Sequence, residues 1–147
     1  MTLNIFDTEF VTCELDDSLP VLKHRWKQAP SGQEFKFTLK RILEEYKSLL
    51  KSYRNLAWMV DAAELGELDE EVENWLVTDW EKMLFEEAGV KVHAVILGRS
   101  IFADYPMEKF KQGAEKKFEK FNVNLGVFSN QQDAYTWMKD QIVNLKK

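Results

Sequence analysis

Two short, almost entirely apolar runs, LAWMVD at 56–61 and KVHAVILG at 91–98, constrain the fold of this chain more than any other feature. Each run follows a longer segment whose apolar residues recur at threes and fours, which is the period of an amphipathic helix. A strand that is apolar at almost every position has both faces covered, as in a parallel sheet with helices packed on it. The sequence therefore predicts an α/β protein built on buried strands.

The other segments complete the order of elements. Residues 3–28 predict a β-hairpin, because apolar stretches lie on both sides of the turn signal Asp16-Asp17-Ser18. Helices are predicted from the capping box of Ser31 and Glu34, over about 70–88, from Pro106, and after Ser129, with a strand at VNLGVF, 123–128. The order is ββαβαβαβα: a mixed sheet of about five strands with an N-terminal antiparallel hairpin, parallel later strands and helices on both faces.

Length and composition indicate the class of protein. At 147 residues the chain has the size of one domain, which we take to span 1–147. A net charge of -5 repels a phosphate backbone and argues against nucleic acid as a partner. The start, MTLNIFDTEF, lacks a basic segment and a long apolar run, and no stretch approaches the length of a membrane span. We therefore expect a cytoplasmic protein that is not transmembrane.

Motifs for common catalytic chemistry are missing from the sequence. It contains no glycine-rich phosphate loop, no G-x-S-x-G elbow and no H-E-x-x-H zinc motif, so no cofactor, metal or catalytic residue is predicted. His24 is interpreted as a partly buried edge histidine bonded to backbone or water, and His93 as a structural residue near the start of its strand. Cys13 is interpreted as a small core residue, with a nucleophile as the minority alternative.

The acidic stretch VDAAELGELDEEVENW, 60–75, is the main candidate for a functional site. A calcium loop starting at Asp61 would need oxygen ligands at the third and fifth positions, where Ala63 and Leu65 stand. Acids in the first turn of the next helix are favoured by its exposed N–H groups and dipole. Asp61 is different, because it ends a buried strand at the carboxyl edge, where active groups of α/β sheets gather.

This stretch, read as AWMVDAAELGELDEEVENW, and the later VFSNQQDAYTWM resemble the STAS superfamily, in particular the small bacterial SpoIIAA-like proteins. The similarity extends from about Leu19 to Ile142. It consists of a strand that ends in an aspartate, a helix that contains tryptophan and a closing helix with an Ala-x-x-Trp signature, here Asp61, Trp75 with Trp80, and Ala134 with Trp137.

The resemblance implies a regulatory role without catalysis. STAS-type antagonists carry, eight positions after the strand-end aspartate, an Asp-Ser-Ser whose first serine is phosphorylated. Asp61 and Asp69 keep that spacing here, but Glu70 and Glu71 replace the serines, so the site has no phosphorylatable hydroxyl. The first hypothesis is therefore a protein-binding module that uses the loop from Ala62 to Glu71 and the face of the helix that follows. Its predicted partner-binding residues are Asp61, Glu64, Asp69, Glu70 and Glu71.

A second hypothesis follows from the similarity in architecture between SpoIIAA-like proteins and lipid-carrying SEC14 domains. It implies a carrier of a small apolar ligand, with a pocket at the carboxyl edge bordered by Trp58, Asp61, Gly98, Arg99, Ser100 and Phe102. An enzyme using Asp61 and Arg99 is the third hypothesis, and no spacing assigns them a reaction. The sequence leaves the oligomeric state open, a homodimer included.

Overall fold

The computed structural model describes residues 2–28, 30–65, 69–98 and 123–145. Its centre is a six-stranded mixed sheet whose strand order equals the chain order. Antiparallel pairs join the first three strands, and parallel pairs join the third to the sixth. The strands are β1 (Thr2–Asp7), β2 (Val11–Asp16), β3 (Val21–Trp26), β4 (Ala57–Asp61), β5 (Val92–Ile96) and β6 (Asn124–Phe128). The predicted α/β fold is confirmed, with six strands rather than five.

Helices cover both faces of this sheet. On one face lie α1 (Gly32–Leu49) and the helix that begins as α2 (Glu70–Trp75) and continues as π-helical segments Leu76–Trp80 and Lys82–Glu87. On the other face lies α3 (Gln131–Leu145). The predicted helix from Pro106 lies outside the described residues. Among the helices of the described ranges, none has the length and apolar character needed to cross a bilayer.

The additional strand is β1, which extends the predicted hairpin into a three-stranded antiparallel unit. Its register with β2 shifts between Asn4 and Phe6, and Phe6 is its one buried side chain. An edge strand with a single neighbour has little apolar surface to bury, so its sequence lacks the continuous apolar run that marks the central strands.

One of the two predicted helix caps is confirmed and the other is wrong. The Ser31 hydroxyl accepts a hydrogen bond from the backbone N–H of Glu34 at 3.2 Å, as the capping box predicts. At α3 the cap is Asn130 rather than Ser129, since its Oδ1 accepts from the backbone N–H of Asp133 at 2.8 Å. The helix begins one residue later than predicted, where the amide oxygen of Asn130 reaches the third N–H of the helix.

The predicted helix over 70–88 is present, but its second part is not α-helical. The N–H of Glu81 bonds to the carbonyl of Leu76, and that of Ala88 to the carbonyl of Met83, which are bonds to the fifth preceding residue. The buried residues include Val72, Trp80, Leu84 and Ala88, all separated by multiples of four. An α-helix turns once in about 3.6 residues, so the wider π-helical turns keep this line of side chains facing the sheet.

The two faces of the sheet differ in what they bury. The face under α1 is aromatic: the ring centroid of Trp58 lies 5.5 Å from that of Tyr46 and 5.8 Å from that of Trp80. The Tyr46 hydroxyl donates to the carbonyl of Leu56 at 2.8 Å, which joins α1 to the start of β4. The face under α3 carries smaller residues, and at Gly126 an added Cβ would lie 2.7 Å from the Phe128 ring.

Candidate functional site

Asp61 lies at the carboxyl end of β4, and both oxygens of its buried carboxylate have partners. Oδ1 accepts a hydrogen bond from the backbone N–H of Ala63 at 3.1 Å, and Oδ2 accepts from Nε2 of Gln131 at 2.8 Å. The side chain is 6% exposed. Asp61 therefore shapes the turn that follows β4 and joins it to the first turn of α3. This is a structural role for the acid that the sequence singled out as a candidate active group.

The start of the acidic loop is packed against the neighbouring strand end. The N–H of Ala62 donates to the carbonyl of Ile96 at 2.8 Å, which continues the contact between β4 and β5. Gly98 lies beside this turn, and a Cβ there would be 3.0 Å from the carbonyl oxygen of Ala63. Glycine at 98 thus allows the two strand ends to approach closely.

The acids that follow divide into a helix cap and exposed carboxylates. Asp69 is the N-cap of α2, since its Oδ1 accepts from the N–H of Val72 at 3.0 Å. Glu71 forms an ion pair with Lys36 at 3.1 Å, and the Lys36 ammonium also lies 5.6 Å from the centre of the Trp75 ring. Glu64 and Glu70 are exposed and form no ion pair with any described residue.

The residues predicted to border a pocket are distributed differently. Trp58 is 1% exposed and lies in the aromatic layer under α1, whereas Asp61 bonds to α3 on the opposite face of the sheet. Gly98 is half-buried at the edge. Arg99, Ser100 and Phe102 lie outside the described residues. Within the described part of the chain, Trp58 and Asp61 are therefore not brought together on one face.

His24 is fully buried, which corrects its interpretation as a partly buried edge histidine. Its strand, β3, is internal because β2 pairs with one side of it and β4 with the other. Its Nδ1 accepts a hydrogen bond from the Trp26 indole N–H at 3.0 Å, and its Nε2 has no partner. Nδ1 of His93 also has no partner. Burial lowers the pKa of each imidazole to about 3, and at His24 the nearby His93 contributes further.

Cys13 is fully buried in β2, and burial raises the pKa of its thiol to about 12. The thiol is thus protonated at neutral pH, which agrees with the prediction of a small core residue. In the described ranges no group of three or more His, Cys, Asp or Glu side chains is arranged to hold a metal ion.

Comparison of the chain with protein-family models, with curated proteins and with solved structures found no match. The resemblance to STAS proteins therefore rests on the sequence motifs alone, and the functions that it implies are proposals.

We expect the Asp61→Ala variant to lose about 2 to 3 kcal/mol of unfolding free energy, because it leaves the Ala63 N–H and the Gln131 amide without their acceptor. For a chain of this size, that loss lowers Tm by about 5 to 10 °C. Gln131→Ala should cost less, and the double variant should cost less than the sum of the two. Exposed Gln132→Ala is the control. Strictly additive losses in urea unfolding would show that the two side chains do not interact.

Unfolding free energy should also fall as pH is lowered from 7 to 5. The folded pKa values of His24 and His93 are about 3, below the ordinary 6.5, so the unfolded chain binds protons in this range that the folded chain does not. Stability is then complete above pH 6.5 and is lost by about 1.4 kcal/mol per imidazole for each pH unit below about 6. Urea titrations at several pH values measure the slope.

Other groups with shifted pKa values act outside this window. Lowered carboxyl pKa values matter only near pH 4 and below, and the raised thiol and phenol pKa values only in alkaline solution: Asp7, Asp16, Cys13 and Tyr46. His24→Phe should therefore halve the slope between pH 6 and 5. A flat stability profile in wild type would contradict imidazoles that stay neutral in the folded chain at these pH values.

Proposed function

We propose that the chain is a cytoplasmic, non-enzymatic regulatory module of STAS-like type that binds a protein partner through an acidic surface formed by Glu64, Glu70 and Glu71. Two further acids hold this surface in place without being part of it. Asp61 fixes the turn before Glu64, and Asp69 caps the helix on which Glu70 and Glu71 lie. The net charge of -5 disfavours nucleic acid as the partner.

The observation that carries the proposal is the absence of internal partners for Glu64 and Glu70 within the described residues, on backbone that is itself ordered by hydrogen bonds. Because the backbone is already ordered, binding costs the conformational freedom of the exposed side chains but not that of the chain that carries them. A negative surface of this kind selects a partner with a basic surface and accelerates their encounter.

The substitution of glutamate at position 70 is consistent with this role. In the proteins that the chain resembles, a serine at the corresponding position acquires negative charge when it is phosphorylated. Glu70 carries a negative charge without modification, at an exposed position in the first turn of α2. The proposed surface is therefore permanently in its charged form.

Reversing the two unpaired charges, in the variant Glu64→Lys with Glu70→Lys, should reduce partner capture at least tenfold, because the repelled partner associates slowly. Glu71 is left unchanged, so the ion pair with Lys36 is kept. Loss of a favourable first-turn charge should lower Tm by no more than about 3 °C. Capture on immobilised protein from a lysate of the source cells, read by quantitative mass spectrometry, measures the effect.

The matched control is Glu86→Lys with Glu87→Lys, which reverses two exposed charges at the other end of the same helical segment. A protein captured by wild type and by this control, and lost with the first variant, would support the acidic surface. Equal capture by all three forms would remove this surface as a binding site.

A carrier of a small apolar ligand is the second candidate function. It is favoured by the aromatic layer under α1, in which two imidazole nitrogens lack hydrogen-bond partners. If the chain carries a ligand, the native mass of freshly purified protein should exceed a whole number of chains by a fixed increment that is lost on denaturation. A native mass equal to that of bare chains would count against a carrier, and the same spectrum would report whether the protein is a monomer or a dimer.

A further inference from the structure

Two histidines, of which His24 is fully buried and His93 partly buried, lie on either side of Trp58 on the face of the sheet covered by α1 and the 70–87 helical segment. Trp58 on β4 is the register partner of His93 on β5. On the other side, the ring centroid of His24 on β3 lies 5.1 Å from that of Trp58, edge to face. Three adjacent inner strands thus place two imidazoles and one indole on the same interior face.

Each imidazole has a nitrogen that is sealed from solvent and has no hydrogen-bond partner: Nε2 of His24 and Nδ1 of His93. Because Nδ1 of His24 accepts from the Trp26 indole, the proton of the neutral ring is on Nε2, which is therefore a donor without an acceptor. Buried polar atoms are nearly always paired, and those that are not call for a bound molecule or another explanation. Two such atoms on one face of one sheet point to a common cause.

The cover over this face is also irregular. Trp80 and Phe85, which contact Trp58 and His93, both belong to the π-helical segments. Such segments are rare and occur often at functional sites. His93 keeps part of its surface accessible although β5 is an inner strand.

We propose that His24, His93, Trp58, Trp80 and Phe85 form a binding site for a small neutral molecule with a largely apolar body and an oxygen acceptor. The acceptor receives the hydrogen bond from Nε2 of His24, and the apolar body lies against the aromatic side chains. A charged ligand does not fit, because no described group of opposite charge faces the two rings and burial of an unpaired charge is costly.

This site goes beyond the acidic surface, which it does not include. It rests on the second candidate function only in naming a small molecule, and it places that molecule under the π-helical segments rather than at the carboxyl edge. A carrier with its pocket at the edge would bind its ligand without these two histidines, so the two possibilities are separable by experiment.

The test compares two probes of nearly equal shape, acetophenone and ethylbenzene, of which only the first has a carbonyl acceptor. Long-range proton–nitrogen NMR spectra report the imidazole nitrogens of both histidines. Acetophenone should shift the Nε2 signal of His24 saturably and bind at least tenfold more tightly than ethylbenzene, because the hydrocarbon leaves the buried donor unpaired. No saturable shift up to the solubility limit of acetophenone, or equal affinity for both probes, would overturn the proposal.

A variant locates the binding. The double variant His24→Phe with Trp26→Phe removes the donor without leaving the Trp26 indole N–H unpaired, so it should bind the two probes equally, while the control Tyr135→Phe on α3 should retain the preference of wild type. Acetophenone bound by the double variant as tightly as by wild type would refute this site and leave a carrier with a pocket elsewhere. If the double variant does not fold, the comparison of the two probes on wild type decides alone. A crystal of probe-soaked protein with only water at both nitrogens would also refute it.

Discussion

The parallel pairings that run from β3 to β6 are the constraint on which the rest of the structure depends. Strands of a parallel sheet are stable when both faces are covered, and here α1 and the 70–87 segment cover one face while α3 covers the other. Parallel strands also end at the same edge. Residues 70 positions apart, Asp61 after β4 and Gln131 after β6, therefore meet there and form a hydrogen bond.

That bond gives Asp61 a structural role at the end of its strand. Asp61 accepts from a backbone N–H and from a neutral amide, so its carboxylate is matched by donors within the fold. Asp69 is likewise used in capping α2. Both acids whose eight-residue spacing resembles the STAS motif, Asp61 and Asp69, thus accept hydrogen bonds within the fold. Glu64, which lies between them, and Glu70, which follows Asp69, extend into solvent.

Much of the fold could be predicted because its central strands are nearly continuous apolar runs, and because apolar residues recur every three or four positions in the helices between them. What escaped prediction had weaker or misleading signals. β1 buries only Phe6, so the sequence pattern did not separate this edge strand from the predicted hairpin. The buried position of His24 depends on a strand pairing on each side of β3, which no local pattern encodes. The bond between Asp61 and Gln131 joins distant segments, and the sequence marks neither residue as the other's partner.

Stability alone does not explain why each of the two histidines on the aromatic face keeps a nitrogen without a hydrogen-bond partner. At position 93, phenylalanine or leucine would fill similar space without a buried nitrogen that lacks a partner, and His24 accepts from the Trp26 indole but keeps Nε2 as a donor without an acceptor. Elsewhere on this face, polar groups such as the Tyr46 hydroxyl have found partners. Natural sequences break such local rules mainly at functional sites. Here two imidazole nitrogens without partners lie beside one tryptophan, Trp58, under the π-helical part of a helix. This arrangement favours selection for binding over selection for stability.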